Sequence, residues 1–294
     1  MNIKKWLQKN THSLKGKTVA LTGSTGGLGL ALSLHLARLG ANLILLDRNQ
    51  KRSFENKARL TALNPSISVA CVTLDLSSPE NVRLVTKTLR TMPIDIFIHN
   101  AGAYSIPRHI CSSGYENVYQ INFASPYYMI RSLLPALKER AGHVMVVGSI
   151  AHRYSKIDEN DIDFRTRRAA SRVYGNAKRY LMFSLYELFK NETDATLAVT
   201  HPGITATNIT AHYPKLVYAL IKYPMRVIFM RPRRAVLSLL AGVFSETTDG
   251  EWIGPRIFDV WGLPRKKRLH SVTAEERTAI ARIADGVFLR MQEE

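Results

Sequence analysis

Four glycines within seven residues leave this chain few folds to choose from. The run Thr22-Gly23-Ser24-Thr25-Gly26-Gly27-Leu28-Gly29 directly follows the apolar stretch Thr18–Thr22 and opens a helical pattern. Glycines at such a place allow a tight turn and let the backbone approach a pyrophosphate closely. The helix N-terminus beyond them offers free N–H groups and the positive end of a dipole to the same anion. Leu30 and Ala31 stand where a Walker A loop would need Lys and Ser/Thr, so the motif is no P-loop. The bland alternative is a purely structural turn. Its position between strand and helix, at the start of a βαβ unit, argues for phosphate binding instead.

The periodicity around the motif agrees with that reading. Short apolar runs at Thr18–Thr22, Leu43–Leu46, Val69–Leu74, Ile94–His99, His143–Gly148 and Thr196–Thr200 read as buried strands. Their near-continuous apolarity suits a parallel sheet covered on both faces. Helical patterns alternate with them at Leu28–Leu39, Ser53–Leu63, Pro79–Arg90, Phe123–Lys138 and Tyr174–Asn191. Strand–helix alternation with right-handed crossovers predicts an α/β doubly wound fold, a single domain with a C-terminal elaboration. No repeat or linker marks a second domain.

Composition narrows the function classes. The 294 residues carry 41 Lys+Arg against 23 Asp+Glu, a net charge of +18. Such a field favours acidic partners, but the excess is spread along the chain, with only short clusters at Arg165–Arg168 and Arg265–Arg268. No zinc-finger or RNP-type signature accompanies it, so no nucleic-acid partner is expected. Lys222 and Arg226 interrupt the longest apolar stretch, well short of the roughly 20 residues a membrane span needs. The basic start, Met1 to Lys17, lacks the apolar core of a secretory signal. Cys71 and Cys111 form neither a disulfide framework nor a metal-binding spacing. A reducing, cytoplasmic setting and no metal are the expectations.

Candidate chemistry then falls at a few positions. Asp47, at the end of the second strand, stands where a carboxylate would hold the adenosine ribose hydroxyls and repel a 2′-phosphate, which favours NAD. Arg48 beside it argues for NADP, because a guanidinium pairs well with phosphate. Tyr174 and Lys178 lie at i and i+4 on one helix face. A cation close to a phenol would lower its pKa from about 10 and make it a workable acid and base. Ser149 after the fifth strand could hydrogen-bond a substrate oxygen or merely cap a turn. Asn122, before a long apolar helix, has the same capping alternative.

Together these pieces resemble the short-chain dehydrogenase/reductase family over roughly residues 14–262, with a Rossmann-type core. The glycine run, Asp75, Asn100-Ala101-Gly102, Asn122, Ser149, Tyr174/Lys178 and Pro202-Gly203 occur in the family's order. Ser149-Ile150-Ala151-His152, with Tyr174 following 25 residues after Ser149, resembles the retinol-dehydrogenase-like branch. Two departures, Ala177 before the lysine and Gly148 before Ser149, remove no reacting group. The resemblance implies an oxidoreductase that moves a hydride between a nicotinamide cofactor and an alcohol/carbonyl pair. Tyr174 would donate or take the proton, Lys178 tune it and hold the nicotinamide ribose, Ser149 polarise the substrate oxygen, and Asn122 hold a water leading to Lys178. Gly23, Ser24, Thr25, Gly27, Leu28 and Gly29 would cradle the cofactor, NAD or alternatively NADP. Asp75 and Leu76 would meet the adenine, Asn100, Ala101 and Gly102 the adenosine ribose, and Pro202, Gly203, Ile204 and Thr205 the nicotinamide. A homo-oligomer is implied as well, because the family commonly forms dimers and tetramers. A catalytically silent NAD(P)-binding sensor or scaffold is the alternative, and four filled catalytic positions speak against it.

Residues 205–234 are expected to form a substrate lid, and 263–294 a helical extension. Lys215, Lys222 and Arg226 fall within about 40° of one another on an ideal helix. Leu216, Val217, Leu220 and Ile221 occupy the opposite arc. That apolar face suits a lipophilic alcohol or ketone such as a steroid, a retinoid or a long-chain aldehyde. The same face could instead pack on the core or lie on an anionic membrane.

Overall fold

The computed structural model describes residues 3–204, 230–269 and 272–293. Its centre is an eight-stranded sheet in the order β3-β2-β1-β4-β5-β6-β7-β8. The strands are β1 (Thr18–Thr22), β2 (Asn42–Asp47), β3 (Val69–Thr73), β4 (Ile96–His99), β5 (His143–Val147), β6 (Thr196–Thr200), β7 (Glu251–Ile257) and β8 (Trp261–Arg268). The first seven pair in parallel, and β8 closes one edge antiparallel to β7. The order reverses between β1 and β4, opening the crevice at the strands' carboxyl ends where doubly wound folds bind ligands.

Helices cover both faces, as the apolar strands require. On one face α1 (Ile3–Asn10), α2 (Gly27–Arg38), α3 (Gln50–Leu63) and α8 (Pro232–Val243) enclose a core that includes Leu21, Leu36, Leu45, Leu60 and Leu240. On the other, α4 (Pro79–Leu89), α6 (Ser125–Lys138), α7 (Ala170–Leu188) and α9 (Ala274–Glu293) enclose Phe97, Phe123, Tyr180, Val199 and Ile280. A short helix, α5 (Asn117–Tyr119), runs through a π-helical turn at Gln120–Ala124 into α6. Another single turn, 3-10 in form, spans Ile150–Tyr154.

The six expected strands are all present, with ends within two residues. The helical extension expected from residue 263 requires correction. Residues 263–268 belong to β8 and the helix begins at Ala274. Alternation in Leu263-Pro264-Arg265-Lys266-Lys267-Arg268 is masked by charge, so the segment reads as polar surface although Leu263 packs on the core beneath. Thr205 and most of the expected lid, 205–229, lie outside the described residues. Its last residues, 232–234, form the first turn of α8, where Arg233 and Arg234 are exposed.

Candidate active site

The glycine run bends where backbone must meet backbone. Gly23 has a φ of +71°, which L side chains rarely adopt, and a Cβ on Gly29 would overlap the Gly23 carbonyl oxygen. Asn100, just past β4, donates its side-chain amide to the carbonyls of Thr22 and Gly23, both at 3.0 Å. Thr22 Oγ1 in turn accepts the backbone N–H groups of Asn100 and Ala101 at 3.0 Å each. These bonds fasten the two strands that flank the crevice. Beside them opens a cleft of about 560 Å³ lined by Gly23, Thr25, Gly27, Leu28, Gly29, Asp47, Arg48, Asp75, Leu76, Asn100, Ala101 and Gly102. Twelve of the residues expected to hold a cofactor therefore meet at one opening.

Ser24 is not among them, because it is buried beneath the loop. Its hydroxyl donates to Asp47 at 2.5 Å, and the same carboxylate accepts Ser53 Oγ at 2.9 Å, Thr25 N at 3.2 Å and Thr25 Oγ1 at 3.3 Å. Asp47 is only 3% exposed, and both of its oxygens are engaged by protein donors. It braces the glycine loop from below. The exposed groups at that end of the cleft are Arg48, Asn49 and Arg52. Asp75 is similarly committed, accepting Ser77 N and Oγ at 2.9 and 2.6 Å in the turn before α4.

The catalytic candidates gather on the other side of Gly102. Ser149 follows β5, and its Oγ accepts Ala151 N at 3.2 Å. It also hydrogen-bonds the Tyr174 phenol. Lys178, one turn along α7, is 2% exposed and donates to the Val147 carbonyl at 2.9 Å. Asn122 lies in the π-helical turn rather than at a helix cap. Its amide donates to the carbonyls of Ala103 and Val118 at 2.8 Å, and its Oδ1 accepts Ala103 N at 3.3 Å. A Cβ placed on Gly102 would meet Asn122 Oδ1 at 2.7 Å and Lys178 Nζ at 3.8 Å, so both groups converge on that glycine.

Electrostatics depart from the expectation for Tyr174. Burial pushes its phenol up to about 12, and the Ser149 hydrogen bond opposes this only in part. Burial also brings the Lys178 ammonium down to about 7. The lysine lies 5.7 Å from the centroid of the Tyr174 ring and is bound to a carbonyl, so desolvation outweighs its attraction for phenolate. The phenol therefore stands protonated at neutral pH.

Pro202, Gly203 and Ile204 follow β6 on the same side of the sheet but do not line the cleft. Gly203 has a φ of +83°, and Ile204 accepts the N–H of Met230 at 2.9 Å. Tyr104 and His152 were not singled out as site residues. Tyr104 packs edge-on against Tyr174 with centroids 5.4 Å apart, and His152 Nδ1 bonds the Ser149 carbonyl at 2.6 Å. Tyr104 carries no distinctive spacing beyond its nearness to Gly102, whereas His152 closes the Ser149-Ile150-Ala151-His152 run.

Both the sequence and the fold have known counterparts. Residues 17–160 match the family model for short chain dehydrogenases. Retinol dehydrogenase 14 of Homo sapiens is 30% identical over 239 residues, 74% of this chain and 71% of that protein. The chloroplastic short-chain dehydrogenase TIC 32 A of Brassica napus is 28% identical over 69% of this chain and 68% of its own length. Among solved structures, a protein from Mycobacterium Paratuberculosis superposes with a TM-score of 0.74 at 22% identity, over 97% of this chain and 95% of that one. L-Sorbose reductase from Gluconobacter frateurii, complexed with NADPH and L-sorbose, gives 0.61 at 22% identity, over 80% and 91%. With glycine loop, serine, tyrosine and lysine in the family's order on the family's sheet, the chain belongs to the short-chain dehydrogenase/reductase family of oxidoreductases.

Proposed function

We propose that this protein reduces a lipophilic aldehyde or ketone, and oxidises the matching alcohol, with a nicotinamide dinucleotide carrying a 2′-phosphate. The observation that carries the reading is the junction of the glycine cleft with the candidate catalytic groups: Asn122 and Lys178 converge on Gly102, and Tyr104 of the cleft wall packs on Tyr174, itself hydrogen-bonded to Ser149.

The cleft fits a dinucleotide because the glycine loop that lines it packs backbone against backbone, with no room for a Cβ at Gly29 and a left-handed turn at Gly23. The free N–H groups of the first turn of α2 suit a pyrophosphate. Arg48 and Arg52 would take a 2′-phosphate, whereas Asp47, already saturated, has little left for ribose hydroxyls. This reverses the preference for NAD that Asp47 alone suggests. L-Sorbose reductase with NADPH and RhlG of Pseudomonas aeruginosa with NADP are structural relatives named with the phosphorylated cofactor, the second at 25% identity.

When bound, the nicotinamide supplies or accepts the hydride. The chain's residues do the rest. Ser149 orients the substrate oxygen and Tyr174, protonated at neutral pH, donates its proton to a carbonyl becoming an alkoxide. Lys178 and Asn122, meeting at Gly102, offer a polar route by which the phenol regains a proton. Tyr104, Ile106 and Ile121 give the neighbouring wall an aromatic and aliphatic character suited to an apolar substrate. The relatives named retinol dehydrogenase 14 support a lipophilic class. A turnover screen of retinoids, steroids, long-chain aldehydes and sugars, with NADPH and NADH in parallel, tests this. Turnover of an apolar carbonyl with NADPH is expected; turnover confined to sugars, or to NADH, would refute the corresponding part.

A further inference from the structure

We propose that Glu276, on the C-terminal helix α9, is a positioning residue for the reaction, acting through Arg179 on the turn that carries Ser149. The inference rests on the reading above, in which Ser149 orients the substrate oxygen.

Arg179 follows Lys178 directly, and its side chain is 3% exposed. Its Nε and Nη2 each donate to one oxygen of Glu276 at 2.6 Å, a two-pronged pairing that fixes the guanidinium plane. The remaining nitrogen, Nη1, donates to the His152 carbonyl at 2.9 Å. Glu276 Oε1 also accepts the N–H of Ile157 at 3.2 Å. One carboxylate from α9 thus clamps the backbone at both His152 and Ile157.

The clamp leads to the reacting hydroxyl in two steps. His152 is fully buried with its ring edge-on to Trp252, centroids 5.6 Å apart. Its ring Nδ1 and its backbone N–H both bond the Ser149 carbonyl, at 2.6 and 3.2 Å. Ser149 itself starts the Ile150–Tyr154 turn, and its hydroxyl is shared between Ala151 N and the Tyr174 phenol. On the far side α7 lies tight against the same turn, where a Cβ on Gly175 would overlap the Ala151 carbonyl. Ser149 therefore sits between a fixed helix and a turn whose outer end is gripped at His152 and Ile157 by the Arg179–Glu276 pair, with Ser155 Oγ on the Arg172 carbonyl at 2.9 Å and Arg153 paired with Asp259 as further anchors. A buried ion pair is weak as a source of stability, because desolvation offsets its attraction. Its rigid geometry is what the site gains.

The test compares the full-length wild type with Glu276→Gln, Glu276→Asp and Arg179→Lys, each checked for folding by circular dichroism. Glu276→Gln should lower kcat by on the order of 10- to 100-fold, the scale of a misplacement near 1 Å. Its cofactor Kd, read by NADPH fluorescence, should match wild type. Arg179→Lys keeps the charge but not the fork and should fall alongside it. Glu276→Asp, which retains the carboxylate, should recover part of the loss and serves if the glutamine variant does not fold. Amide exchange should quicken at 150–157 in Glu276→Gln and stay unchanged at 23–29. A folded Glu276→Gln with wild-type kcat, or with unchanged exchange at 150–157, overturns the proposal. Absence of turnover in the wild type would instead sink the functional reading, and the exchange measurement would still judge the clamp.

Discussion

At the residue scale the site is governed by desolvation. Tyr174 loses water faster than it gains a cation, so its phenol is held as a proton donor rather than as a base. Reduction should fall as pH rises through about 7, where Lys178 gives up the proton that it passes toward the phenol, while oxidation should rise with pH as the phenolate becomes accessible; steady-state rates in both directions check this. Tyr174→Phe removes only the ionisable hydroxyl and should cost about 10²–10⁴-fold in kcat with NADPH binding intact. Asp47→Ala separates brace from ribose ligand: loss of the brace weakens NADH and NADPH alike, whereas a ribose ligand would give a switch toward NADPH. Parallel loss in fluorescence titrations is expected. Two buried histidines extend the same physics to stability. Burial lowers His152 and His201 to about 4. Below about pH 6.5 the unfolded chain binds protons that the folded one refuses, so stability falls as pH falls toward 4. At pH 5 this amounts to roughly 2 kcal/mol per histidine, using about 1.4 kcal/mol per pKa unit. Urea melts at pH 7 and 5 should show the difference, and His201→Phe should shrink it.

Among the elements, the loop from β1 to α2 bears the tightest steric constraint. Gly29→Ala must push against the Gly23 carbonyl and the Asn100 amide, so the variant should lose about 1–3 kcal/mol in denaturant melts and bind NADPH weakly. The apolar runs and the glycine turn announced the sheet because buried parallel strands tolerate little polarity. Two elements stayed hidden for physical reasons. β8 carries charge on an edge that faces solvent, which erases its alternation. The π-helical turn at Gln120–Ala124 cannot be read from side-chain spacing, yet it aims Asn122 at Ala103 instead of capping a helix. The four candidate catalytic residues are named by residue type and order, and the structure hydrogen-bonds Ser149 to Tyr174 and brings Asn122 and Lys178 to Gly102. The commitments of Asp47 and Asp75 were not, because they depend on which hydroxyls fold beneath them.

For the whole molecule, the C-terminal helix contributes to the core in addition to the positioning role proposed for Glu276. Ile280, Val287 and Met291 are buried against α4, α6 and α7, each worth roughly 1.5–3 kcal/mol. Arg131–Asp285 and Arg282–Glu159 add ion pairs at its rim. Since whole domains are stable by only about 5–15 kcal/mol, a chain ending before Thr273 should fail to give a cooperative thermal transition. Among the described residues, no helix is long and apolar enough to cross a membrane. At the sheet edge, exposed Arg265, Lys266 and Arg268 would face their own copies in any edge-to-edge pairing. Edge-to-edge pairing through β8 is thereby disfavoured.

The hydrogen bond from Met230 to Ile204 has a consequence for how such proteins diversify. It brings Ile204 and Met230, the described residues on either side of positions 205–229, together beside Gly203. Once the ends are fixed, the entropy of closing a loop grows only by about 0.6 kcal/mol per doubling of its length. Segments of other lengths and compositions can thus be spliced in at Ile204 and Met230 with little demand on the frame.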